Sequence, residues 1–166
     1  YDPLFKHPAS LSGIYLNELL CAYEKSGRDL SDLLVRHFID RARLSGDARY
    51  RIPLYHAFRL LDQVATRDQD PLLPLKMVGM IRPRAFQYMG YAITSCSTLR
   101  EAADTLARYE QLVWDAGQIT LDETGDLACL CWAPRVAVPN IVVEMAIAGW
   151  LQIGKKVSPT RQPEEK

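Results

Sequence analysis

The chain lacks an excess of charge of either sign. Its 166 residues include twenty Lys plus Arg and twenty Asp plus Glu, so the formal net charge is zero. A domain that binds the phosphate backbone of a nucleic acid by itself carries an excess of basic residues or a basic stripe on its surface. The balance therefore predicts that this chain makes no DNA contact of its own, and that any such contact belongs to a domain outside it.

Long apolar runs are also missing. No stretch approaches the length of a membrane span, and residues 1–8 lack the apolar segment of a secretory signal. We therefore expect a cytoplasmic protein without membrane contact. The composition, 48% hydrophobic and 24% charged, is that of an ordinary globular chain. Its length fits one domain with a substantial core.

Metal-binding and catalytic patterns are scarce. The chain has no C-x-x-C, no G-x-S-x-G elbow, no G-x-G-x-x-G, no Walker loop and no H-E-x-x-H. We therefore expect no metal, no cofactor and no enzymatic activity, although distant residues that assemble into a site are the alternative. The few cysteines are predicted to be small buried hydrophobic residues in a reducing compartment: Cys21, Cys96, Cys129 and Cys131.

Helical patterns dominate what is present. Apolar spacing, caps and helix-breaking residues predict helices at five places. These are Ser12 to Lys25, Leu30 through Phe38 into residues 40–43, Pro53 through Ala65, a short helix ending near Gly79, and a last helix after Pro139 that reaches Ile153.

A capping box marks a further helix. Thr98 is placed to accept a hydrogen bond from the amide of Glu101, and the Glu101 carboxylate is expected to return to the Thr98 amide. The apolar stripe that follows at helical spacing consists of Leu99, Ala102, Ala103, Leu106, Tyr109 and Val113.

Two short β-prone runs follow this helix. Residues 119–122 and 127–132 are separated by residues 123–126, which have the composition of a hairpin turn. Residues 86–93 fit either a helix or a strand, and we favour the helix. The predicted fold is α+β, mainly helical, with a small antiparallel sheet or hairpin packed on the helices. Residues 1–157 form the domain, and residues 158–166 a linker or frayed tail.

The order of these motifs resembles a known family. The elements are G-Y-A at residues 90–92, T-L-x-E-A at 98–102, A-R-Y at 107–109 and G-D at 125–126. Together with residues 51–79, they resemble the amino-terminal effector-binding domain of AraC-type transcriptional regulators. The likeness covers roughly residues 10 to 155. It implies a non-catalytic sensor that binds a small metabolite or fatty-acid-like effector and forms a homodimer.

In the resembled family, a carboxy-terminal pair of helix-turn-helix motifs contacts DNA. No such pair is found in this chain, so we expect DNA contact only through a domain outside it. A homodimerisation or interaction module with no physiological ligand is the alternative function.

Aromatic side chains gather around the resembling segment and suggest the walls of a ligand pocket. The effector is expected to be apolar with a polar or anionic end, because rings supply apolar area while a few polar groups orient the ligand. Arg108 is the predicted anchor; alternatively, it pairs with Asp104 on the same helix. The alternative for the aromatic residues is a purely structural place in the core. The predicted pocket residues are Tyr88, Tyr91, Arg108, Tyr109, Trp114 and Trp132.

Small residues in the last helix suggest a dimer interface. Ala146, Ala148 and Gly149 would allow another element to approach closely across a two-fold axis.

Overall fold

The computed structural model describes residues 9–125 and 127–157, and omits the side chains of residues 83, 84, 156 and 157. The predicted tail, residues 158–166, lies outside the described residues. The strands are β1 (Ser10–Ser12), β2 (Arg51–Pro53), β3 (Gly117–Thr124) and β4 (Leu127–Pro134). The helices are α1 (Gly13–Glu24), α2 (Ser31–Arg36), α3 (Arg41–Gly46), α4 (Leu54–Arg67), α5 (Leu73–Met80), α6 (Gln87–Thr94), α7 (Leu99–Tyr109) and α8 (Asn140–Val157). Short 3₁₀ turns occur at Pro83–Phe86 and Glu110–Leu112.

The fold is mainly helical, with two small antiparallel sheets, which confirms the predicted class. Strand β1 pairs with β2, and β3 pairs with β4 as a hairpin. Helix α8 packs on α5, α6 and α7, while α1 packs on α3 and α5. One continuous apolar core results, in which Leu16, Leu19, Leu54, Leu60 and Val78 are fully buried.

The predicted helix from Leu30 into residues 40–43 was wrong, because the chain breaks it after His37. Phe38 adopts a left-handed conformation with φ 55° and is 88% exposed. The carboxylate of Asp40 then accepts hydrogen bonds from the amides of Ala42 and Arg43 and begins α3. The N-cap at Asp40 thus favours the start of a new helix, α3, over the continuation of α2.

The other predicted helices are confirmed with small shifts. Ser12 caps α1 by accepting from the amide of Tyr15 at 3.4 Å. Pro53 precedes α4 as its N-cap residue instead of occupying its first turn. Residues 87–94 are helical, which agrees with the preference for a helix in this segment. Strands β1 and β2 were missed, since three-residue strands carry no readable periodicity.

The capping box of α7 differs from the prediction in one partner. The Thr98 hydroxyl accepts from the amide of Glu101 at 3.1 Å, as expected. The Glu101 carboxylate accepts from the amide of Ser97 at 2.8 Å, one residue before the expected donor. Leu99 and Tyr109 of the predicted stripe are exposed, so Ala102, Leu106 and Val113 form its buried part.

The hairpin is confirmed, with Gly125 at φ 62° supplying the turn conformation that glycine tolerates best. Cys129 and Cys131 lie on its outer face, opposite Asp122 and Thr120. Both cysteines are exposed, and Cys21 and Cys96 are half-buried. The prediction of buried cysteines was therefore wrong, most clearly for Cys129 and Cys131, because a two-stranded sheet has only one covered face.

We predict that Thr98→Ala destabilises the domain, because it removes the side chain that satisfies the first-turn amide of α7. The expected loss is about 0.5–2 kcal/mol, or a few degrees of melting temperature in a thermal unfolding experiment. Ser97→Ala is the matched control, since Ser97 contributes its backbone amide to this cap and keeps it. Equal melting temperatures for Thr98→Ala and the parent protein would contradict the cap assignment.

Candidate functional site

Three concave features lie along α8, and the first is the interhelical pocket. It lies between α4, the loop that follows α4, α5 and the first turns of α8, and its volume is about 380 Å³. This size falls within the range of small-molecule sites. Its lining residues are Phe58, Leu61, Asp62, Ala65, Thr66, Gln69, Asp70, Pro71, Pro74, Ile141 and Met145.

The polar lining of the interhelical pocket is rich in acceptors. Asp62, Thr66, Gln69 and Asp70 accompany the apolar side chains. The ammonium of Lys76 lies 2.5 Å from the Asp70 carboxylate and holds the pKa of that carboxyl below its usual value. None of the lining residues carries a positive charge, so the pocket favours an apolar molecule with hydrogen-bond donors.

A smaller cavity, the inner cavity, lies deeper in the fold. Its volume is about 20 Å³, enough for one water-sized group. Met145 lines both this cavity and the interhelical pocket, so the two features adjoin at this side chain. The lining residues are Tyr15, Phe86, Met89, Leu106, Glu110, Val113, Trp114, Met145, Ala146, Gly149 and Trp150.

Glu110 is the buried acid of the inner cavity. Its side chain is 2% exposed, and its Oε1 accepts from the indole N–H of Trp114 at 2.9 Å. Its Oε2 is buried and has no hydrogen-bond partner. Burial disfavours the charged form and raises the pKa of Glu110 from 4.5 to about 7, although the Trp114 bond opposes this shift.

Trp132 completes the surroundings of Glu110. Its ring stacks on Trp114 with centroids 5.9 Å apart. Its indole N–H is buried and makes no hydrogen bond of normal geometry. It nevertheless lies near the Glu110 carboxyl and, like Trp114, opposes the rise of the Glu110 pKa. A Cβ at Gly117 would lie 2.2 Å from the Trp132 ring, so only glycine fits beside it.

The third feature is the outer groove, which lies between α7, β4 and α8. Its volume is about 570 Å³ and its lining is almost entirely apolar. Ile147 and Leu151, which are 45% and 61% exposed, form its α8 wall. The residues that line it are Leu99, Leu130, Ile147, Trp150, Leu151, Gly154 and Lys155.

The structure brings together only two of the predicted pocket residues, Trp114 and Trp132. Tyr88 and Tyr91 lie on the outer side of α6 and are 79% and 65% exposed. Arg108 and Tyr109 are also solvent-accessible, and none of these four residues lines any of the three concave features. The described contacts include no ion pair between Arg108 and Asp104. A ligand contact by these four residues stays a prediction.

The small residues of α8 are split between two faces. Ala146 and Gly149 are buried within the chain and line the inner cavity, with Gly149 packed beside Phe86. Ala148 is half-buried and lies nearer the exposed side, close in helical angle to Leu151. The close approach that Gly149 permits is therefore made to the same chain in this structure.

Sequence reasoning missed Glu110 and the interhelical pocket. Glu110 lies four residues before Trp114, which is a spacing that allows contact over a helical turn, and this was an available signal. The pocket has no local signature, because α8 is far in sequence from α4 and α5. Within the described ranges, no group of three potential metal ligands occurs. Likewise, no helix there is long and apolar enough to cross a bilayer.

Comparison with known families gives one match. The family described as the N-terminal arabinose-binding domain of AraC transcription regulators matches residues 27–165. This range includes α4, α5, α7 and α8 and hence most of the three concave features. A search of curated proteins found no match.

We predict that Glu110 makes the stability of the domain fall as pH rises. The folded protein holds the Glu110 proton more tightly than the unfolded chain does, so its contribution is complete below pH 4.5 and is lost as pH approaches about 7. Each pH unit in that window changes the free energy of unfolding by at most about 1.4 kcal/mol.

Thermal unfolding of the parent protein and Glu110→Gln between pH 5 and pH 8 measures this effect. The melting temperature of the parent should fall more steeply with pH than that of Glu110→Gln. Asp122→Asn, which changes an exposed acid on β3, should follow the parent. Parallel curves for the parent and Glu110→Gln would show that the Glu110 carboxyl has no raised pKa.

Proposed function

The chain belongs to the family of N-terminal arabinose-binding domains of AraC transcription regulators, and we propose that it senses a small, largely apolar effector in the interhelical pocket. Members of this family are ligand-binding regulatory domains. The observation that carries the proposal is a pocket of about 380 Å³ with apolar walls and a polar rim.

Helix α8 connects ligand binding to regulation in this proposal. Ile141 and Met145 present its inner side to the pocket, while Ile147 and Leu151 present its outer side to the outer groove. An effector that packs against the inner side and prefers one position of α8 changes the surface on the outer side. The effect is a population shift limited by the effector's differential affinity for the two positions.

The partner proposed for the outer groove is a second copy of this chain. Glu144, Ala148, Leu151 and Lys155 follow one another at helical spacing, so they share one stripe of α8 with Ile147 alongside. In an antiparallel pairing of two α8 helices, Glu144 of each copy faces Lys155 of the other, and Ala148 faces Leu151. Charge complementarity and apolar contact therefore favour a two-fold dimer.

The domain in this role acts in the cytoplasm, through an attached DNA-binding domain whose arrangement depends on the dimer. The zero net charge of the chain supports DNA contact through that other domain. A dimerisation module without an effector is the second candidate, and the apolar outer groove is the observation that favours it.

We predict that filling the interhelical pocket abolishes effector binding. Thr66 is exposed and lines the pocket, so Thr66→Trp places a ring in the space without disturbing the core. Molecules that raise the melting temperature of the parent protein are identified from a panel of metabolites, fatty acids and amines, and their affinities are measured by calorimetry. Thr66→Trp should lower the affinity for these molecules at least tenfold.

Thr120→Trp is the matched control, because Thr120 is an exposed threonine on the outer face of the hairpin and should leave binding unchanged. Equal binding by the parent and Thr66→Trp would place the effector elsewhere. A panel with no binder would favour the module without an effector.

We predict a homodimer that depends on the charges of the α8 stripe. Analytical ultracentrifugation at tens of micromolar should show a dimer for the parent protein. Glu144→Lys should shift the mass towards monomer, since it places like charges opposite each other, and the double variant with Lys155→Glu should restore the dimer. A monomeric parent protein would rule out this interface. So would a dimer whose mass is the same in the parent, in Glu144→Lys and in the double variant.

A further inference from the structure

We propose that the inner cavity is a subsite for a primary ammonium group, so that the effector is an apolar amine whose charged end reaches Glu110. This inference rests on the proposed function and names the chemical class that the interhelical pocket selects.

The first argument is an unused acceptor. Glu110 is almost completely buried, and Trp114 occupies its Oε1, whereas Oε2 has no hydrogen bond of normal geometry although the indole N–H of Trp132 lies near the carboxyl. A buried carboxyl oxygen without a partner is costly, and it gains free energy from any donor that reaches it. The cavity beside it holds about 20 Å³, which fits a water or an ammonium head but no larger group.

The second argument concerns charge. Arg135 is the cation that acts on Glu110, but it is exposed and bonded to the side chain of Gln118 at 3.2 Å. Tyr15 is the other titratable group in the cavity lining, and burial raises its pKa so that its hydroxyl stays neutral. Within the described residues, no salt bridge neutralises Glu110. An ammonium group would supply the missing charge.

The walls suit the same group. Tyr15, Trp114 and Trp150 line the cavity. Aromatic faces attract cations, and a carboxylate combined with such rings recognises an ammonium better than a neutral donor of equal size.

Met145 provides the connection between the head group and the apolar body. It lines both the inner cavity and the interhelical pocket, and methionine adapts its shape more readily than branched side chains do. A rearrangement of Met145 would let an alkyl chain in the pocket extend its ammonium group to Glu110. The acids of the pocket rim, Asp62 and Asp70, present the competing site for a cation.

The test compares 1-aminohexane with 1-hexanol, which differ in the head group alone, by calorimetry at pH 8. The parent protein should bind the amine at least tenfold more tightly than the alcohol. Glu110→Gln should remove this preference, while Asp122→Asn, which changes an exposed acid on β3, and the rim variant Asp62→Asn should keep it. Thr66→Trp should weaken both molecules.

A second measurement needs no variant of Glu110. Because the Glu110 pKa is about 7 and the amine stays charged, the amine should bind the parent protein roughly tenfold more weakly at pH 6 than at pH 8. Binding of the alcohol should not change over this range.

The possible failures are distinguishable. A preference lost in Asp62→Asn and kept in Glu110→Gln would place the ammonium at the rim and overturn the subsite. If the parent binds the amine and the alcohol equally well, and Thr66→Trp weakens the binding of both, the subsite is overturned. The assignment of the effector site to the interhelical pocket then still holds. The subsite is also overturned alone if neither hexyl compound binds but other panel members do, while no binding by any panel member overturns both proposals.

Discussion

The buried carboxyl of Glu110 fixes a short segment that joins three parts of the fold. Its side chain accepts from the Trp114 indole, and its carbonyl accepts from the amides of Val113 and Trp114 at 2.8 and 3.1 Å. Val113 in turn accepts from the amide of Ser12 at 2.6 Å, which ties β1 and the start of α1 to the hairpin. Since these bonds lie in a water-poor interior, losing one leaves unpaired groups that destabilise its neighbours. The backbone from Glu110 to Trp114 therefore links the end of α7 to β1 and the start of α1, and the Glu110 side chain adds one bond to this segment.

Helix α8 has two faces with different surroundings. Met145 and Gly149 face the interior, and Ile147 and Leu151 face outwards. A helix of this length moves as a unit, because its backbone hydrogen bonds are internal. In the proposed mechanism, a change in what fills the interior reaches the outer stripe through the displacement of α8 itself. Such a transmission needs α8 to have two positions of similar free energy.

Periodicity and caps predicted most of the helices, because apolar spacing and hydrogen-bonded caps are local properties. Thr98 and Ser12 are examples in which the sequence alone identified the cap. The break at Phe38 was hidden, since its apolar side chain fits the helical pattern although the residue is exposed. The binding features were harder to predict, because Thr66 and Met145 meet only through tertiary packing. Aromatic clustering in sequence found Trp114 and Trp132, but it could not distinguish them from the exposed Tyr88.

The stacked pair Trp114 and Trp132 has a spectroscopic consequence. The chain contains three tryptophans, and the third, Trp150, lines the same cavity as Trp114. All three tryptophans thus lie around the buried carboxyl of Glu110, and two of them are stacked on each other. Tryptophan emission therefore reports on the inner cavity and, through Trp150, on the outer groove beside it.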